Sequence, residues 1–262
     1  MKAFEIMEKL FSFSTDKRYE VTCDSKKAGD EQREVKKVAV SMFATIPVVK
    51  AAKEWGAELL VVHEPTYYNH MDEHSDEKIE SLKRKFIEES GLVIYRYHDY
   101  PHSAKTDMIA DGMLKYMDFD GNVERTDVFD LVRIHLNKAM TPRQIAKHIE
   151  EKLGIAHLRI CGTADRPCKE ISGMFGTPGG VFEELKREET EVLLTGEACE
   201  WALGEYARDA NDLGFNKCLI IMGHIGSERD GMKLITDMIN EKIEGIEAKY
   251  FECGEVYTYT DK

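Results

Sequence analysis

The chain has 262 residues, of which 42% are hydrophobic and 32% are charged, and its formal net charge at pH 7 is −13. This length suits one large domain or two smaller ones, and the composition is typical of soluble globular proteins. The acidic balance argues against a duplex nucleic-acid binder and against binding to an anionic membrane surface, because both need a basic face.

Targeting and redox signals point to the cytoplasm. No apolar run approaches the roughly 20 residues that span a bilayer, and the N-terminal segment is an amphipathic helix with acidic residues, unlike a signal peptide. The six cysteines are scattered without zinc-ribbon spacing, which favours reduced core thiols over a disulfide framework. We therefore expect a cytoplasmic protein with no membrane partner.

The first half of the chain alternates apolar runs with helical patterns. Strands are predicted at residues 38–43, 59–62 and 92–97, and helices at 46–56, 78–89 and 107–117. Pro47 in the first turn and Gly56 as a stop support the helix between the first two strands. The polar, His-rich residues 67–76 are predicted to form a loop over the strand ends. A linker is predicted near residues 118–122 from their Asp, Gly and Asn content.

The second half repeats this order. Its strands are predicted at 171–175, 192–194 and 218–222, and its helices at 181–188, 198–213 and 229–243. Between the two copies, strands are predicted at 131–136 and 158–161 and a helix at 142–153. Alternating strands and helices predict an α/β fold with largely parallel strands. We expect two related α/β lobes with mostly parallel sheets, residues 1–122 and 123–262, with room for the C-terminal part to pack back on the first lobe.

His and Glu residues follow the predicted strands in both halves. His63 and Glu64 end one strand, His98 ends the next, and Glu197 and His224 hold matching places in the second half. Ligands of open α/β sheets bind beyond the carboxyl ends of the strands. Imidazole and carboxylate groups without cysteine suit zinc, iron or manganese. The pattern therefore predicts a metal site between the lobes, at the strand ends.

Two of these histidines have a further candidate ligand four residues later. His224 and Glu228 would lie one helical turn apart, on one face, if a helix begins there. His98 and His102 enclose Pro101, which pushes the preceding residue towards extended geometry. We expect that segment to be a strand-to-loop turn, not a regular helix.

Four segments resemble the NIF-three-like family of dinuclear metal proteins, which includes YbgI and the type-two GTP cyclohydrolase homologues. The segments are Leu60–Pro65, Tyr95–His102, Leu194–Glu197 and Gly223–Glu228. The likeness runs from about residue 38 to the C-terminus. The Gly-His-x-x-Ser-Glu ending of the last segment is its most specific part.

Two positions depart from the family pattern in a reciprocal way. Glu64 stands where the family usually has a second histidine, and His102 stands where it usually has an aspartate. The resemblance implies two divalent ions (Zn, Fe or Mn) held by His63, Glu64, His102, His224 and Glu228, with Glu228 bridging. It also implies that His98 and Glu197 either support the ligands from beside them or move protons to and from a bound water.

The resemblance implies a metal-dependent hydrolase of a nucleotide or phosphoester, which attacks either a phosphoester or, as GTP cyclohydrolases do, a purine ring carbon. It implies a small-molecule substrate and a homo-oligomer, a toroidal hexamer in the family. The alternative is a non-catalytic metal-binding scaffold or a regulatory protein that binds a partner. The turn Gly176–Gly180 has two interpretations as well, a phosphate cradle at a helix N-terminus or a tight turn that needs glycine.

Overall fold

The computed structural model describes residues 1–15, 17–126, 128 and 131–260, which form two compact units. Unit 1 consists of residues 1–109 with 231–262, and unit 2 of residues 110–230. The division into lobes of residues 1–122 and 123–262 stays a prediction. Each unit has its own sheet, so the two are described separately.

The strands and helices follow one another through the chain. The strands are β1 (Lys26–Ala28), β2 (Lys37–Ser41), β3 (Leu59–Val62), β4 (Val93–Arg96), β5 (Gly121–Arg125), β6 (Leu131–Met140), β7 (Arg159–Gly162), β8 (Cys168–Met174), β9 (Val192–Thr195), β10 (Cys218–Ile221) and β11 (Glu247–Tyr250). The helices are α1 (Ala3–Ser14), α2 (Ile46–Trp55), α3 (Lys78–Ser90), α4 (Asp99–His102), α5 (Met108–Met117), α6 (Pro142–Leu153), α7 (Val181–Lys186), α8 (Glu205–Asp212) and α9 (His224–Lys242), with a π-helix at Glu200–Gly204.

Unit 1 contains a five-stranded sheet in the order β1-β4-β3-β2-β11. Strands β2, β3, β4 and β11 are parallel, and β1 pairs antiparallel with β4 at the edge. Strand β3 is buried along its whole length, as its continuous apolar run predicts for a central parallel strand. Because neighbouring parallel strands end at the same edge, the residues after β3 and β4 are brought together.

Unit 2 contains a six-stranded sheet in the order β5-β6-β8-β9-β10-β7. Its centre is the parallel set β8, β9 and β10, and the outer pairs are antiparallel. The α/β class with two sheets is thus confirmed, and the sheets hold four and three adjacent parallel strands. Antiparallel edge strands make the second sheet mixed, because the short connection between β5 and β6 allows only antiparallel pairing.

Helix boundaries follow local signals in the sequence. The side chain of Thr45 accepts a hydrogen bond from the amide of Val48, and Gly56 ends α2 in the left-handed conformation. Helix α6 begins with a capping box of Thr141 and Gln144 and ends at Gly154. These are the residues that helix ends favour, since they satisfy backbone groups that the helix leaves without partners.

Several sequence-based boundaries differ from the structure. The predicted linker at residues 118–122 runs into β5, which begins at Gly121 and pairs with β6. Helix α9 begins at His224, five residues before its predicted start. Strands β1, β5 and β11 are short or polar and carry no strong apolar pattern, so periodicity alone did not reveal them. Among the described residues, no helix combines the length and the apolar character that a membrane crossing requires.

Candidate metal centre

His63 is the first residue after β3 and is fully buried. Its Nδ1 lies 3.1 Å from the carbonyl oxygen of Tyr97. A carbonyl oxygen only accepts, so this contact assigns the hydrogen to Nδ1 and leaves a lone pair on Nε2. Burial, followed by the neighbouring charge of His98, holds the pKa of His63 well below its ordinary value. The buried ring is therefore neutral and suited to binding a cation through Nε2.

The segment carrying His98 and His102 folds as a short helix, α4, which corrects the expectation of a strand-to-loop turn. The buried carboxylate of Asp24 explains the difference, because it accepts hydrogen bonds from three consecutive amides, those of His98–Tyr100, at 2.7–2.9 Å. Pro101 lies in the first turn, where a missing N–H costs nothing. The proline therefore permits the turn that it was expected to prevent.

His102 points its Nε2 at the Nε2 of His63, at a distance of 3.2 Å. Its Nδ1 lies 2.9 Å from Oδ2 of Asp107, so the carboxylate holds the hydrogen on Nδ1 and leaves the lone pair on Nε2. Two ring nitrogens that both bear lone pairs repel each other unless a proton or a cation lies between them. Two nitrogen ligands of a tetrahedral zinc ion, each at about 2.05 Å, are about 3.3 Å apart. The observed spacing fits a bound cation.

His98 lies beside this pair. One ring nitrogen from each of His63, His98 and His102 lies within 4.8 Å of the others. The rings of His63 and His98 are stacked, with centroids 4.6 Å apart and planes inclined by 29°, whereas the rings of His63 and His102 are inclined by 56°. Ring nitrogens bind metals in the ring plane, and nearly parallel stacked planes do not converge within a bond length of about 2.1 Å. The convergent pair is therefore His63 with His102.

A carboxylate holds His98 in one orientation. Its Nδ1 lies 2.9 Å from Oδ1 of Asp99, and the hydroxyl of Thr22 and the amide of Cys23 donate to Oδ2 at 2.7 and 3.1 Å. Burial of Asp99 opposes its ionisation, but hydrogen bonds from His98, Thr22 and Cys23 outweigh burial and lower the pKa of the carboxyl well below its usual range. The ionised carboxylate leaves Nε2 of His98 as the basic nitrogen.

Glu64 is buried beside a fully buried arginine. Oε2 of Glu64 lies 3.5 Å from Nη2 of Arg96, and Nε of Arg96 donates to the carbonyl oxygen of His63 at 2.9 Å. The arginine thus compensates the charge of Glu64 and fixes the backbone that presents His63. The sequence reasoning missed both Arg96 and Asp107. The signal for Arg96 was a charged residue inside an apolar strand, which requires a buried partner.

The unit 2 candidates gather at the first turn of α9. His224 and Glu228 lie on one helical face, as their spacing predicts, with Nε2 of His224 3.1 Å from Oε2 of Glu228. Nδ1 of His224 lies 2.8 Å from Oε1 of Glu197 and 3.1 Å from the hydroxyl oxygen of Thr177. The Glu197 carboxylate therefore holds the hydrogen on Nδ1, and Nε2 faces the buried carboxylate of Glu228 across a proton or a bound cation.

This second pair also fits a bound cation. Nitrogen and oxygen ligands of one ion lie about 2.9 Å apart at octahedral angles and about 3.4 Å apart at tetrahedral angles. The 3.1 Å between His224 and Glu228 falls within that range. Each unit therefore holds a pair of groups with the spacing of metal ligands.

Glycines at the strand ends make room for Glu228. Gly176 follows β8 with φ +68°, and a Cβ there would lie 2.2 Å from Oε1 of Glu228. Gly196 follows β9, and its Cβ would meet the carbonyl oxygen of Gly176 and the hydroxyl of Ser227 at 2.4 Å each. The Ser227 hydroxyl in turn accepts from the amide of Gly176 at 2.9 Å. These contacts favour the tight-turn interpretation of the segment Gly176–Gly180.

The structure brings the predicted residues together in two groups. The unit 1 group contains His63, His98 and His102, with Glu64 next to His63 in sequence, and the unit 2 group contains Glu197, His224 and Glu228. The chain thus has His and Glu groups that could bind metal. The role assigned to each residue stays a prediction.

Two proteins with the same name are similar to this chain over most of its length. A protein of Clostridium perfringens called GTP cyclohydrolase 1 type 2 homolog is 24% identical over 224 residues, 82% of this chain and 82% of that protein. One of Clostridium acetobutylicum with the same name is 22% identical over 226 residues, 83% of this chain and 80% of that protein.

Solved structures share the fold. Protein ybgI, described as of unknown function, has a TM-score of 0.77 at 16% identity, covering 98% of this chain and 100% of that chain. The sequence model of the Duf34/NIF3 (NGG1p interacting factor 3) family matches residues 4–255. Because this match covers nearly the whole sequence, the chain belongs to the Duf34/NIF3 family.

Proposed function

We propose that this protein binds two divalent metal ions and uses them to hydrolyse a nucleotide or another phosphoester. The supporting observation is that the imidazoles of His63 and His224 each hold Nε2 at 3.1–3.2 Å from a second electron-pair donor. The names of the curated relatives, GTP cyclohydrolase 1 type 2 homolog, favour a purine nucleotide as the substrate class.

The proposed ligands are His63, Glu64, His102, His224 and Glu228. Three imidazoles and two carboxylates suit zinc, iron or manganese. Glu228 would be the bridging ligand, as the family resemblance implies.

Side chains beside these ligands would transfer protons. Bound divalent ions supply Lewis acidity, which activates water and stabilises negative charge near neutral pH. His98 would accept a proton at Nε2, since Asp99 holds its Nδ1 hydrogen at 2.9 Å. Glu197 would either transfer a proton itself or keep His224 in the ligand tautomer, because it lies 2.8 Å from Nδ1.

Metal analysis combined with turnover tests this function. Purified protein should contain divalent metal and act on GTP or generic phosphoesters, and His224→Ala and Glu228→Ala should lose both properties. The matched control is the exposed pair His135 and Glu170, which has the same chemistry on the sheet surface. His135→Ala and Glu170→Ala should leave metal content and turnover unchanged. Turnover that persists in the His224 and Glu228 variants would reject the assignment.

A metal-holding scaffold without turnover is the second candidate. Burial favours it, because His63, Glu64 and Glu228 are 0%, 6% and 3% exposed and substrates need access to an ion. Stoichiometric metal with no turnover across a broad panel of nucleotides and phosphoesters would select this candidate over the hydrolase.

We further infer a homo-oligomer, a hexamer by family resemblance, that acts on a small molecule in the cytoplasm. The cytoplasmic location is supported by the cysteines, all six of which are free, as a reducing compartment requires. Mass photometry of the purified protein tests the assembly, and a mass of one chain would contradict it.

A further inference from the structure

We propose that Cys23, His70 and Asp99 form a separate outer cation site in unit 1, suited to a soft or borderline divalent ion such as Zn²⁺ or Cd²⁺. One ligand atom from each residue lies within 4.8 Å of the other two. Thiolate, imidazole and carboxylate together are a donor set that zinc accepts, and the thiolate selects against Mg²⁺ and Ca²⁺. This site is additional to the proposed hydrolytic centre and does not depend on turnover there.

The Cys23 thiol is already placed against a carboxylate. Cys23 is 1% exposed, and its Sγ lies 3.3 Å from Oδ1 of Asp99 and 3.6 Å from Oδ1 of Asp24. Sulfur and oxygen ligands of a tetrahedral zinc ion are about 3.6 Å apart. The spacing fits an ion in place of the thiol hydrogen, but burial raises the pKa of the Cys23 thiol, so the ion must displace a tightly held proton. Binding forms the metal–sulfur bond and releases the thiol proton to solvent.

Asp99 supplies the negative charge and connects the outer site to the histidine group. Its Oδ2 is held by Thr22 and by the amide of Cys23, so Oδ1 is the oxygen that faces the thiol. The same Oδ1 lies 2.9 Å from Nδ1 of His98. An ion bound to Oδ1 of Asp99 would therefore share that carboxylate with His98.

His70 places the third donor at the solvent side. Its side chain is exposed, but its carbonyl oxygen accepts a hydrogen bond from the buried guanidinium of Arg96, which anchors the loop. The ring of His70 lies 5.8 Å from that of His98, which lies 4.6 Å from that of His63. The three rings pass from exposed to partly buried to fully buried. The outer site therefore lies where an ion arriving from solvent would first meet this row of imidazoles.

Titration of the metal-free, full-length protein with Cd²⁺ tests the site. Cadmium bound to a thiolate gives an ultraviolet charge-transfer band, which cadmium bound to imidazole or carboxylate lacks. We expect the band in the wild type, its loss in Cys23→Ser, and at least a tenfold weaker affinity in His70→Ala. Serine keeps a hydrogen-bond donor facing Asp99, so this variant should fold, which its thermal melting curve will verify.

Two control variants make the outcome specific. Cys199 is an exposed thiol, so Cys199→Ser should keep the band if the signal comes from Cys23. The double variant His63→Ala, His102→Ala should lose the ions of the proposed hydrolytic centre and still keep the band. A band that survives in Cys23→Ser, disappears in Cys199→Ser or is absent from the wild type would overturn the proposal. Loss of hydrolysis alone would leave it intact.

Discussion

At the scale of single residues, the tautomer of each histidine determines what the candidate centre can bind. Tyr97 and Glu197 fix the Nδ1 hydrogens of His63 and His224. The remaining Nε2 atoms each face another donor of electron pairs. In a low-dielectric interior such a contact costs free energy unless a positive charge lies between the two atoms. A cation relieves that cost in both units.

The depressed pKa of His63 makes the metal-free protein sensitive to acid. Because the folded state resists protonation, the unfolded chain binds a proton near pH 6.5 that the folded chain does not. Above that pH the neutral ring leaves the free energy of unfolding unchanged. As the pH falls below it, the free energy of unfolding decreases by about 1.4 kcal/mol per pH unit. Urea unfolding of the metal-free protein should show this slope, and His63→Gln should reduce it. An unchanged slope in the variant would contradict a buried neutral ring.

The candidate residues of the centre are easier to predict from the sequence than the groups that support them. His63 and His224 follow apolar strands, so their positions could be predicted from strand periodicity. Asp107 and Arg96 act on the centre through hydrogen bonds to His102 and to the carbonyl of His63. Such partners depend on side-chain directions across turns and neighbouring strands, which spacing along a sequence does not specify.

At the scale of elements, helix starts and strand ends position the candidate ligands. In unit 2, α9 begins at His224, so the first helical turn presents His224 and Glu228 on one face. The predicted start of α9 was later because Gly223 and Gly226 weaken the helical pattern. In unit 1, α4 forms because Asp24 caps it, and Asp24 is remote in sequence. Propensity alone could not have supplied that cap.

Gly176→Ala should remove metal from unit 2 through a steric effect on Glu228. The new Cβ would lie 2.2 Å from Oε1 of Glu228 and would displace the carboxylate. Gly180→Ala is the matched control, because φ is +81° there and its Cβ would meet only a methionine methyl group at 3.8 Å. Both variants should lose about 1 kcal/mol of stability from left-handed backbone. Only Gly176→Ala should lose metal affinity in isothermal titration, and equal affinities in the two variants would contradict this account.

At the scale of the whole molecule, unit 1 is completed by residues far along the chain. Strand β11 pairs in parallel with β2 and extends the five-stranded sheet. The ring of Phe251, just after β11, lies 5.7 Å from that of Trp55. The sequence pattern leaves room for this return but does not predict β11, because a short strand with two exposed charged residues has no apolar signal.

Truncation tests how far unit 1 depends on that strand. A chain ending at Gly254 keeps β11 and should unfold at nearly the wild-type urea concentration. A chain ending at Glu244 exposes the edge of β2 and removes Phe251, and it should lose at least about 3 kcal/mol. Equal midpoints for the two truncated chains would show that β11 contributes nothing to the stability of unit 1.

The central claim is that the two His-centred pairs bind divalent ions, and the metal content of the purified protein tests it most directly. Elemental analysis of protein purified without added metal should find about two divalent ions per chain, as a dinuclear hydrolytic centre requires. The content should fall in His102→Ala and in Glu228→Ala but not in His135→Ala. Wild-type protein without metal, or variants with the wild-type content, would contradict the account.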